Sequence, residues 1–142
     1  MKTLVTAAIL LVTTTAFAES LEERKFWKRQ RDYVDEKLKK ANKACDTNFT
    51  FDWIDPPTLR SEVEKTKHSP QGVCFSIIDV VDSVCREGAD EKATVKAKIT
   101  GFTCGYAKER TLDLKGGVLK YQGNNVQSNY SEWAKPWLLK HL

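Results

Sequence analysis

Four cysteines, Cys45, Cys74, Cys85 and Cys104, constrain this chain more than any other feature. Their gaps of 29, 11 and 19 residues lack the short C-x-x-C pairs of a zinc site, and the only histidines, His68 and His141, fit no ligand spacing. Whether such thiols stay free or close into bridges depends on the compartment, and the amino terminus speaks to that. Met1 to Ala18 combines Lys2, an apolar run from Leu4 to Val12 and the small-x-small triplet Ala16-Phe17-Ala18, the pattern of an export signal cleaved after Ala18. The run is about nine residues against the ~20 that cross a bilayer, so no anchor is expected. Glu19 and not a cysteine follows the cut, which leaves no site for a lipid. The expectation is a signal peptide over residues 1–18 and one domain over 19–142, periplasmic or extracellular, with all four cysteines in two disulfides and neither metal nor cofactor.

The pattern of apolar residues places the elements. From Ser20 to Ala44, Trp27, Val34, Leu38 and Ala41 form a helical stripe that Phe26 and Tyr33 widen, with no Gly or Pro to break it. Phe49, Phe51 and Trp53 alternate with Thr50 and Asp52, as in a half-buried strand that Asp55-Pro56-Pro57 ends. Residues 58–68 read as a polar surface connection with at most a short helical turn. Ser69-Pro70 then starts a second helix, with Ser69 as its cap, which Gly88 stops. A strand over the same residues would put Asp79 and Asp82 on opposite faces, whereas a helix gathers them on one.

That helix limits the disulfides. Eleven residues at ~1.5 Å rise hold Cys74 and Cys85 about 16 Å apart, so they do not pair with each other. Two connectivities remain, Cys45–Cys74 with Cys85–Cys104 and Cys45–Cys85 with Cys74–Cys104, and shorter loops favour the first.

Downstream, Asp90 caps a short helix packed through Ala93, Val95 and Ala97, which leads into a strand ending at Tyr106. Thr111 to Lys115 and Val118 to Tyr121 flank Gly116-Gly117, whose freedom at positive φ suits a two-residue turn. The register sets Leu114 opposite Leu119, Leu112 opposite Tyr121 and Asp113 opposite Lys120. Asn129 and Glu132 form a capping box for a final helix that Pro136 should shorten or kink, with Trp133, Trp137 and Leu138 on one face. The expected fold is α+β: a meander of three antiparallel strands from about residue 99 to 122, a fourth strand over 49–54, and helices on one face of a three- to four-stranded antiparallel sheet.

No motif assigns chemistry. G-x-S-x-G and G-x-x-x-x-G-K-[ST] are absent, and His68 reads as an exposed loop residue. Asp52, Asp55, Asp79 and Asp82 could supply paired carboxylates, but spacing alone does not bring two together. Asn48-Phe49-Thr50 and Asn129-Tyr130-Ser131 match the glycosylation triplet and read as structural. With Lys2 removed, 22 basic and 19 acidic residues leave a net charge of +3, too mild to imply nucleic acid. The first helix is different: nine basic and five acidic residues give it a local net of +4. Its outer face reads as a solvated surface with pairs such as Asp32–Arg29 and Glu36–Lys40, or as an attachment to an anionic surface such as phospholipid headgroups, an acidic polymer or an acidic protein. The expected function is therefore that of a small exported binding protein, inhibitor or envelope accessory factor without catalytic activity. Its candidate contacts are Lys25, Lys28, Arg29 and Arg31 on the first helix and Trp133 and Trp137 at the other end, where the two rings read either as docked on the sheet or as an exposed aromatic platform. The alternatives are a small hydrolase of an envelope polymer and a purely structural domain.

Overall fold

A computed structural model describes residues 20–124 and 130–142, apart from the side chains of residues 70–73. The expected export signal and the expected Asn129 cap lie outside these residues. The chain runs α1 (Leu21–Cys45), β1 (Thr50–Ile54), α2 (Pro56–Thr66), α3 (Pro70–Cys85), α4 (Ala89–Lys98), β2 (Gly101–Tyr106), β3 (Thr111–Lys115), β4 (Val118–Gly123) and α5 (Tyr130–His141). The α+β class holds, with five helices and one four-stranded sheet among the described residues.

The sheet itself differs from expectation. Its order is β1-β2-β4-β3, with β1 parallel to β2, β2 parallel to β4 and only β3 antiparallel to β4. It is mixed and not a meander, because β4 inserts between β2 and β3. Residues 107–110 make this possible: four residues reach about 13 Å, enough to cross two strand spacings of ~4.8 Å. The hairpin register is as read, including Asp113 opposite Lys120, and Gly116 and Gly117 take φ of 59° and 80°.

Pairing aligns one apolar face across all four strands. Phe51 lies beside Phe102 and Phe102 beside Leu119, while Cys104 lies beside Tyr121 and Tyr121 beside Leu112. Five of these, Phe51, Phe102, Cys104, Leu119 and Tyr121, are buried. Burial also pushes the Tyr121 phenol far above its ordinary pKa, with Tyr130 beside it adding to the rise. The opposite face exposes Thr50, Asp52, Asp113 and Lys120 to solvent. Helices α3 and α5 lie on the apolar face, where Cys74 of α3 bonds Cys104 and Trp133 of α5 packs on Tyr121 at 6.2 Å. Ile77, Ile78, Val81 and Val84 of α3 are buried, so nearly every turn of this helix feeds the core.

The disulfides are Cys45–Cys85 and Cys74–Cys104, the pairing that the loop lengths disfavoured. The reason is that α1 and α3 run parallel. Ser69 donates to Gln30, Tyr33 meets Phe75, Lys37 pairs with Asp79 at 2.7 Å and Cys45 bonds Cys85, so partners advance together along both helices. The return path is β1 and α2, and the stretch read as a connection is in fact an eleven-residue helix that Asp55 caps at Thr58 N. Leu59 is its buried anchor, and the Arg60 guanidinium lies 3.9 Å over the Phe26 ring. Two smaller corrections concern α3 and α4. α3 ends at Cys85, before Gly88, and the N-cap of α4 is Gly88 in extended backbone, with Asp90 inside the first turn, where its charge suits the helix dipole. α5 continues through Pro136 to His141.

Candidate binding surface

The residue types that could carry chemistry are spread over the molecule and engaged locally. Asp55 caps α2, Asp79 is held by Lys37, Asp82 is held by Arg86 at 2.8 Å, and Asp52 stands exposed on the open face of the sheet. His68 is exposed between α2 and α3. His141 stacks on Trp137 with ring centroids 3.9 Å apart, its Nδ1 lying 2.7 Å from the Trp137 carbonyl oxygen. No group of three His, Cys, Asp or Glu side chains converges as a metal site among the described residues.

The two tryptophans proposed as contacts are half-buried and packed against the core. Trp133 lies between Tyr121 on one side and the Arg110 guanidinium, 4.7 Å from its ring, on the other. The solvent side of α5 instead presents Pro136 and Leu139, which with Ser83 and Lys135 border a mostly apolar groove of about 590 Å³ against α3. Lys135 closes one side of it through an ion pair with Glu87.

The basic residues of α1 are exposed apart from Lys37, which is partly buried against Asp79 of α3, because Gln30, Val34, Leu38, Ala41 and Cys45 take up the buried stripe. Lys25 pairs with Glu22, Lys28 with Asp32 at 2.8 Å and Arg31 with Asp35 at 2.8 Å. Glu36–Lys40 forms as expected, whereas Asp32 takes Lys28 and not Arg29. The Glu36 hydrogen bond and charge hold Lys40 above its ordinary pKa, and Lys40 holds the Glu36 carboxyl below its own, so both stay charged near neutrality. Such exposed pairs add little stability and leave the net charge of the helix at +4. Arg24, Arg29, Lys39 and Lys43 are exposed and form no ion pair among the described residues.

Arg31 has a second task that sequence reading did not anticipate. Its Nη1 donates to the Phe51 carbonyl at 2.8 Å, and the Asn42 side chain accepts from Phe49 N at 2.7 Å, so α1 covers the free edge of β1. Arg31, Lys39 and Asn42 thereby line a polar groove of about 430 Å³ between α1 and β1. The far end of α1 is fixed by Asp46, whose carboxylate takes Lys96 at 2.6 Å and is held below the usual carboxylate range by that bond. The surface is thus a 25-residue cationic rod pinned at one end by an ion pair and a disulfide and along its length by the sheet edge. No helix among the described residues is long and apolar enough to cross a membrane. Comparison of the chain with family models, with curated proteins and with solved structures gives no match, so function rests on the surface alone.

Proposed function

We propose that this is an exported, non-enzymatic binding protein that engages an anionic component of the cell envelope, phospholipid headgroups being its simplest form, through the outer face of α1. The observation that carries the reading is the concentration of charge: α1 holds a net +4, more than the +3 of the whole chain after Ala18. Arg24, Arg29, Lys39 and Lys43 supply cations that no intramolecular partner engages among the described residues. Rigidity supports it as well, because a helix pinned by Cys45–Cys85 and by Arg31 on the β1 edge presents its charges without ordering cost.

The test is co-sedimentation of the chain lacking residues 1–18 with vesicles of anionic or neutral phospholipid. Binding to the anionic vesicles alone, lost at high salt, is the expected result. At about 1 kcal/mol per cation near such a surface, Arg29→Gln with Lys43→Gln should weaken binding roughly thirtyfold while leaving Tm unchanged. Equal binding to neutral vesicles, no binding at low salt, or full retention by the double variant would overturn the reading.

A further inference from the structure

The two edges of the sheet are treated differently. The β1 edge is guarded by α1, through Arg31 on the Phe51 carbonyl and Asn42 on Phe49 N. Among the described residues, the β3 edge has no such cover. In a two-residue hairpin the residues flanking the turn exchange both backbone bonds, so Lys115 points its N–H and C=O at Val118, and Asp113 and Thr111 likewise face β4. The intervening Leu112 and Leu114 therefore direct their backbone N–H and C=O groups outward, and no described residue hydrogen-bonds them.

An uncovered row of this kind is a template for a further strand. Its side chains say which. In antiparallel pairing of two β3 strands about a two-fold axis at Leu114, Leu114 exchanges both backbone bonds with Leu114 of the second copy. On the solvent face, Asp113 then lies opposite Lys115 of the second copy, and the symmetry repeats the pair. Shifting the axis to Asp113 would instead oppose two aspartates. Asp113 and Lys115 are exposed and form no ion pair among the described residues, so both are free for this use. Gly116, which would lie opposite Leu112 of the second copy, has open space where a side chain would stand.

We propose that β3 is a self-association edge, at which two copies pair antiparallel about Leu114 to join their sheets into one of eight strands. The inference is independent of the reading of α1, whose cationic face lies beside the opposite edge. An interface of five residues per copy falls well below the roughly 1,200 Å² of a standard one, so the dimer should appear only at high protein concentration.

Sedimentation equilibrium of the chain lacking residues 1–18, from about 10 μM to 1 mM, tests this. A reversible monomer–dimer equilibrium is expected. Lys115→Asp sets two aspartate pairs across the axis and should raise the dissociation constant at least tenfold. Asp113→Lys combined with Lys115→Asp exchanges the charges and should restore association. Far-UV circular dichroism and Tm confirm that each variant is folded. A chain that stays monomeric at 1 mM, a Lys115→Asp variant that dimerises as the parent does, or an exchanged variant that fails to recover would each overturn the proposal.

Discussion

Replacing Cys45 and Cys85 by alanine is expected to cost about 3–4 kcal/mol and to lower Tm by roughly 10–20 °C. The bridge closes a loop of 40 residues, and loop-closure entropy for that length is on the order of 4 kcal/mol. The Cys74–Cys104 bridge closes 30 residues and should behave alike, at about 3.5 kcal/mol. The two loops interlock, since Cys74 lies inside the first and Cys85 inside the second. Once one bridge exists, the other closes a chain already shortened, so removing both costs less than the sum of the single losses. Even so, the loss is comparable with the ~5–15 kcal/mol that holds a domain together, and the fully reduced chain should unfold at body temperature. Urea denaturation of the single and double variants measures each step. A single-bridge variant melting within about 2 °C of the parent would contradict the clamp.

Phe102→Ala should be as damaging, at about 3–5 kcal/mol. Phe102 sits on the central strand with only 1% of its surface exposed, between Phe51 on β1 and Leu119 on β4. Its ring also meets Phe49 edge-on at 5.2 Å, so truncation opens a cavity where sheet and helices converge. Thr103→Ala, one residue along and on the open face, should stay within about 0.5 kcal/mol. Denaturant midpoints for the pair separate a one-sided sheet from one covered on both faces: comparable losses for the two variants would mean the latter.

Local chemistry was legible in the sequence and strand adjacency was not. Gly116-Gly117 set a turn of two residues and thereby the whole hairpin register, and Ser69-Pro70 placed the start of α3. The antiparallel meander failed because a short connection after β2 usually returns beside it, whereas here β3 swings to the edge and β4 takes the place next to β2. One signal could have shown this. β3 carries Asp113 and Lys115 at outward positions, as an edge strand does, while Leu119 and Tyr121 give β4 the larger apolar side chains that a central position needs.

The disulfide preference failed for a reason of magnitude. Loops of 29 and 19 residues are cheaper to close than loops of 40 and 30 by only about 0.7 kcal/mol in total. Packing Val34, Leu38 and Ala41 of α1 against α3 involves several kcal/mol and decides the direction of the helices. Only the parallel course of α1 and α3 then brings Cys45 to Cys85. The candidate contact surface was legible in its charge, since α1 was recognisable as a basic helix. What the sequence concealed was that Arg31 also guards β1.

The fold centres on α3, which is clamped at both ends, to α1 by one bridge and to β2 by the other. Cleavage of the unreduced natural protein before Asp79 separates Cys74 from Cys85, and mass spectrometry of the fragments reads the connectivity directly. Fragments joining Cys45 to Cys85 and Cys74 to Cys104 are the result expected. Recovery of Cys45 joined to Cys74, or of four free thiols, would contradict it.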